Sequence, residues 1–159
     1  MEVFKQLHKE GKIKYAGLSE CTPNELERAN KVFSITAIKI EWSVVSREIE
    51  QLVLLTARKL GVAIVAYSPL GRGLLSKTFS KREEIAPTDY RTQVPRFEEG
   101  NFEFNNKADE KLEEYTKIKG YTVAKIALAW IHNQGEDIFP IPGTKNINRL
   151  IDNFVSNYA

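Results

Sequence analysis

The chain has 159 residues, 42% of them hydrophobic and 28% charged, with a net charge of +2. That length suits one domain with a real core, and the composition excludes a disordered chain. The small net charge and the lack of any basic run interleaved with aromatics argue against nucleic-acid binding, and no stretch approaches the roughly 18 apolar residues of a membrane span.

Residues 1–10 place Val3, Phe4 and Leu7 on one helical face, and Gly11 stops that helix. The same stretch has no signal-peptide core, and the single Cys21 has no partner for an internal disulfide. Both point to a reducing, cytoplasmic setting. Residues 13–18 read as a strand. Thr22-Pro23-Asn24-Glu25 is a capping box with proline at the first helical position, and Leu26, Ala29 and Val32 supply the apolar stripe of the helix that follows. Residues 35–40 read as a second strand and residues 48–60 as a helix closed by Gly61. Residues 62–66 are continuously apolar and rich in β-branched types, which predicts a third strand buried on both faces of a parallel sheet. Residues 76–106 read as a long irregular insertion, rich in charge and broken by Pro87 and Pro95, of the kind that serves as a lid. Residues 108–119 and 123–133 read as two helices separated by Gly120. Residues 138–141 read as a fourth strand and 146–154 as a last helix.

A helix followed by four βα units implies a parallel sheet with right-handed crossovers. A complete (β/α)8 barrel takes about 250 residues. Four strands therefore make half of such a barrel or a small open α/β sheet.

Ligands in parallel α/β folds bind at the carboxyl ends of strands. Here the first strand ends in Ser19-Glu20 and the second in Glu41-Trp42-Ser43. The third ends in Tyr67-Ser68-Pro69-Leu70-Gly71-Arg72-Gly73. Tyr67 offers a ring for stacking, and the glycines let backbone N–H groups approach a phosphate. The fourth strand runs through Pro142-Gly143-Thr144-Lys145 into the last helix. There the free N–H groups and the helix dipole attract phosphate. Arg149 can present a guanidinium fork to the same phosphate, and Asp152 and Asn153 can reach a base amine about one turn further on. The ordinary alternative is a set of tight turns with Tyr67 packed and a solvated Lys/Arg face. Four polar or aromatic strand ends in one chain favour a nucleotide cleft.

These strings, in this order, resemble the aldo-keto reductases. Gly11-Lys12-Ile13-Lys14-Tyr15-Ala16-Gly17-Leu18-Ser19-Glu20 resembles their fifth-strand segment, and Ala37-Ile38-Lys39-Ile40-Glu41-Trp42-Ser43 their sixth. Val65-Ala66-Tyr67-Ser68-Pro69-Leu70-Gly71-Arg72-Gly73 resembles the seventh. The stretch from Ile141-Pro142-Gly143-Thr144-Lys145 to Asn153 resembles the eighth. Asp89-Tyr90-Arg91 with Pro95-Arg96-Phe97 is similar to the insertion of the subgroup that reduces pyridoxal and other aldehydes. The resemblance implies that residues 1–159 form the C-terminal half of a (β/α)8 barrel, starting at an internal Met, with 76–106 as a loop insertion.

The implied activity is reduction of a small carbonyl substrate with NADPH. Ser19 would hydrogen-bond the nicotinamide carboxamide and Tyr67 would stack on the ring. Ser68, Leu70 and Gly71, in the loop that also holds Arg72, would line the pyrophosphate. Thr144, Lys145 and Arg149, following Gly143, would hold the 2′-phosphate, favouring NADP(H) over NAD. Asp152 and Asn153 would contact adenine. Lys39 stands where the family usually has a Gln on the carboxamide. That leaves two alternatives: a weakened or displaced nicotinamide, or an ion pair from Lys39 to Glu20 or Glu41.

No catalytic residue is assigned. The family's Asp, Tyr, Lys and His come from its first four strands. None of the tyrosines, Tyr115 and Tyr158 included, has the lysine partner the family uses, and His8 and His132 read as surface residues away from strand ends. No metal site is expected. Two functions remain open: an NADPH-dependent carbonyl reductase, or a non-catalytic nucleotide-binding or assembly protein. A small doubly wound flavin or nucleotide module would explain the strand number but not the reductase strings. Half a barrel also has two free edges, at 13–18 and 138–141. Its inward faces, Val62, Ile64 and Ala66 among them, would lack an opposing wall, so self-association is expected.

Overall fold

A computed structural model describes residues 1–76 and 78–156; Tyr158 and the side chain of Tyr115 lie outside what it describes. The chain forms two compact units, Met1–Pro69 with Ile131–Gly143, and Leu70–Trp130 with Thr144–Ala159.

The first unit is built on a four-stranded sheet of β1 (Gly17–Ser19), β2 (Ala37–Glu41), β3 (Ala63–Tyr67) and β4 (Ile138–Ile141). The strands lie side by side in chain order, and every pair is parallel. Ser19 pairs with Lys39, Glu41 with Tyr67, and Tyr67 with Ile141, so three strands end level. β1 and β4 are the edges of the sheet, as expected, but β1 covers only Gly17–Ser19 rather than residues 13–18. Helices α1 (Glu2–Lys9), α2 (Pro23–Val32) and α3 (Val53–Leu60) belong to this unit, with α2 against α3 and α3 against β3.

Local signals set these elements. The Thr22 hydroxyl accepts from the Glu25 N–H at 3.3 Å while the Glu25 carboxylate accepts from the Thr22 N–H at 2.8 Å, closing the capping box of α2. Gly61 takes φ +68° at the end of α3, a left-handed conformation that only glycine adopts at no steric cost. α3 starts later than periodicity implies. Glu50 accepts from the Trp42 indole at 3.0 Å and from Arg47 at 2.7 Å, holding Glu48–Glu50 as a 3₁₀ turn.

β3 corrects the expectation of a strand buried on both faces. Burial alternates: Ile64 and Ala66 are fully buried, while Ala63, Val65 and Tyr67 are half-buried. Val62, Ile64 and Ala66 are therefore not the residues without a wall, since α3 packs on β3. The open face carries Ala63, Val65 and Tyr67, and on the next strand Phe139 and Ile141, 53% and 46% exposed.

The second unit holds α4 (Asn101–Lys119), most of α5 (Val123–His132) and α6 (Ile147–Val155). Its core includes Leu74, Leu75, Ile85, Phe97, Phe102, Ala127 and Leu128. The stretch read as irregular contains 3₁₀ turns at Arg82–Glu84, Tyr90–Gln93 and Pro95–Phe97, and α4 begins well before residue 108. Phe102, packed 6.3 Å from Phe97 between ring centroids, anchors that early first turn. α6 is different: Ile147, Leu150, Ile151 and Phe154 form one apolar stripe, each residue at least 57% exposed. Among the described residues, no helix is long and apolar enough to cross a membrane.

Candidate functional site

In the sheet unit the chemistry gathers at the carboxyl ends of the strands. Ser19 ends β1 exposed to solvent. Glu20 follows at φ +52°; its N–H donates to the Lys39 carbonyl at 3.0 Å, and its carboxylate accepts from the Glu41 N–H at 3.1 Å. Glu20 thus clips the end of β1 to β2. Tyr67 ends β3 with a half-buried ring, and Ser68 follows at φ +50°. Gly143 lies exposed just past β4.

The Lys39 Nζ lies 5.0 Å from the centroid of the Tyr67 ring. One tyrosine therefore does meet a lysine, through its ring face. The second strand end offers less than its sequence promised. Trp42 and Ser43 are fully buried, because the indole N–H is drawn to Glu50 and Ser43 pairs with Ser46.

In the second unit, Gly71 is buried and Leu70, Arg72 and Gly73 are half-buried. Arg72 takes φ +58° and Gly73 φ +109°. A Cβ on Gly73 would sit 3.3 Å from Thr78 and 3.4 Å from Arg91, a tight fit, and it is the positive φ that calls for glycine. Glu20, Ser68 and Arg72 are the non-glycine residues at positive φ among those described, and each follows a strand end within five residues. Such conformations cost about 1–3 kcal/mol each and concentrate at functional sites.

Arg91 holds this loop, a role the sequence reading missed. Its guanidinium donates to the Arg72 carbonyl at 3.1 Å and to Asp89 at 2.9 Å, and lies 4.4 Å over the Phe79 ring. The available signal was the Asp-x-Arg spacing, in which Asp89 also accepts from the Arg91 N–H at 3.0 Å. Hydrogen bonds from the Arg91 side chain and backbone hold the Asp89 carboxyl down to about 2. A depressed carboxylate stabilises above its ordinary value near 4 and loses that contribution as pH falls through about 2. In an NMR titration the Asp89 carboxyl carbon should show a midpoint near 2. Arg91→Ala should return it to the ordinary range, and an ordinary midpoint in the native protein would dissolve the clamp.

At the start of α6, Asn146 is the cap. Its Oδ1 accepts from the N–H groups of Asn148 at 2.9 Å and Arg149 at 3.1 Å, and its own N–H donates to Thr144 Oγ1 at 3.1 Å. Two of the helix N–H groups expected to be free for phosphate, those of Asn148 and Arg149, are thus already engaged. Lys145 and Arg149 are exposed and pair with no carboxylate among the described residues. Asp152, expected on adenine, pairs with Lys125 at 2.9 Å. Asn153 is half-buried, and its carbonyl accepts from Ser156.

Elsewhere, Cys21 is buried, and burial pushes its thiol up, as for an inert structural cysteine. His8 is exposed, 5.3 Å from the Phe33 ring, while His132 is half-buried and burial lowers its pKa. Among the described residues no cluster of three or more His, Cys, Asp or Glu gathers as a metal site.

The family model of the aldo/keto reductase family matches residues 1–157. The chain belongs to the aldo-keto reductases. Solved structures agree. The glycerol dehydrogenase AKR11B4 from Gluconobacter oxydans is 27% identical, with a TM-score of 0.85 over 94% of this chain and 45% of its own. The thermostable aldo-keto reductase Tm1743, solved with the inhibitor epalrestat, is 25% identical, with a TM-score of 0.74 over 99% of this chain and 48% of its own. The chain thus spans just under half the length of these aldo-keto reductases, and its four parallel strands are half the number in a (β/α)8 barrel.

Proposed function

We propose that this chain carries the cofactor-holding residues of a cytoplasmic, NADP(H)-dependent aldo-keto reductase that converts aldehydes or ketones to alcohols. One observation carries the cofactor reading. α6 opens with two exposed cations, Lys145 and Arg149, and no acid in its first turn. Positive charge at a helix N-terminus opposes the macrodipole by about 0.3–1 kcal/mol. A phosphate monoester such as the 2′-phosphate reverses that balance, and Arg149 can grip it with two parallel hydrogen bonds.

On this reading Thr144 and Gly143 complete the phosphate cradle, and Asn153 reaches the adenine. Asp152 does so only by leaving Lys125. Ser68, Leu70, Gly71 and Arg72 follow the pyrophosphate on a loop steadied by Arg91. Ser19 hydrogen-bonds the carboxamide, and Tyr67 lies flat against the nicotinamide. The bound cofactor supplies a hydride, and the protein must supply an acid for the developing alkoxide. The residues in hand serve the first requirement. Asp89-Tyr90-Arg91 supports the subgroup acting on pyridoxal and other aldehydes. A second reading, assembly without catalysis, is favoured by the bare apolar stripe of α6.

Arg149→Ala tests the cofactor reading. A bidentate charge-assisted contact contributes about 1.5–3 kcal/mol. NADPH should therefore bind roughly 10- to 150-fold more weakly, and NADH little changed. Fluorescence titration reads both. Equal losses for the two cofactors would show that Arg149 does not read the 2′-phosphate.

A further inference from the structure

Lys39 and Tyr67 share the open face of the sheet. Lys39 pairs in register with Val65, and Tyr67 is two residues further along the same strand, so the two side chains are diagonal neighbours on one face. The ammonium spans that diagonal to lie 5.0 Å from the ring centroid. An aromatic face attracts one cation, and here the protein's own lysine already occupies it. Of the nearby acids, Glu20 directs one carboxylate oxygen to the Glu41 N–H.

We propose that Lys39 makes this site select the reduced, uncharged form of a nicotinamide over the oxidised, cationic form. The inference rests on the reading that Tyr67 carries the nicotinamide. Any planar cation laid against Tyr67 must share the ring with the ammonium or push it aside, and in both cases meets a like charge. A neutral ring meets no such repulsion. Two unit charges about 6 Å apart at an exposed site repel enough to shift binding about three- to tenfold. Lys39 is exposed, so salt screens the effect. A lysine here is thus a specificity-determining residue for the redox state of the ligand. A neutral amide in its place would hydrogen-bond either form.

The test measures dissociation constants for NADPH, by fluorescence, and for NADP⁺, by competition, on the native chain, Lys39→Gln and Lys39→Arg. The ratio of the NADP⁺ to the NADPH constant should fall about three- to tenfold in Lys39→Gln. It should persist in Lys39→Arg and shrink for the native chain in 1 M salt. A role of Lys39 in structure alone would weaken both forms equally. An unchanged ratio in Lys39→Gln, with both forms still bound, overturns this proposal and leaves the cofactor reading standing. No saturable binding of either form to the native chain overturns the cofactor reading and this inference with it.

Discussion

Mixed with NADPH and a benzaldehyde-type substrate, the 159-residue chain should turn over at least about 10²–10⁴-fold more slowly than a full-length aldo-keto reductase, the usual share of a positioned general acid. Lost positioning of the carbonyl slows it further. This expectation rests on where the described tyrosines and histidines stand. Tyr67 meets Lys39 by its ring face. Tyr15 is exposed, and Tyr90 is exposed beside the guanidinium groups of Arg72 and Arg91. Tyr121 is exposed as well. His8 stands on a helix that buries none of its residues, and His132 ends α5. A stopped-flow or steady-state assay following NADPH absorbance decides this. Rates like those of a full-length relative would mean that these 159 residues do supply an acid.

Light scattering behind size-exclusion chromatography should find no sharp species of 18.1 kDa. β1 and β4 offer unpaired backbone N–H and C=O groups to any other strand. Phe139 and Ile141 stand bare on the open face of the sheet. In the second unit, Ile147, Leu150, Ile151 and Phe154 stand bare along α6. Burying one such side chain fully is worth about 1.5–3 kcal/mol, so covering a few approaches the 5–15 kcal/mol stability of a whole domain. The chain should pair with a second copy or form larger species. Leu150→Glu with Ile151→Glu should shift the distribution toward smaller mass. A sharp native peak at 18.1 kDa with cooperative unfolding would show that these faces need no partner.

Much of the fold was legible because its signals are local. Thr22 and Glu25 are three residues apart, and the capping box they form depends on little else. Gly61 ends α3 through its own φ. The alternation of apolar runs with helical stripes pointed to four parallel strands, since a parallel pair needs a crossover between its members, and the side-by-side order followed from the resemblance to half a barrel. The ends of the strands were legible as a candidate site for the same reason: Tyr67, Ser68 and the glycines after them form one continuous string.

What the sequence left open depends on partners distant along the chain. A run such as 62–66 looks equally apolar on both sides, and only the packing of α3 decided that Ile64 is fully buried while Val65 is half-buried. Trp42 read as an aromatic at a strand end until Glu50 drew its indole into the core. Lys39 had acids near it in sequence, yet the register of β2 against β3 carried it to Tyr67. The α6 N-terminus read as a phosphate trap, and the side chain of Asn146 took up the N–H groups of Asn148 and Arg149. The sequence by itself determined the alternation of strands and helices and the family, because these follow from spacing and from short strings. Tertiary structure alone decided which face is open, which cation is free and which ring is available, because those depend on contacts whose partners the chain brings together only on folding.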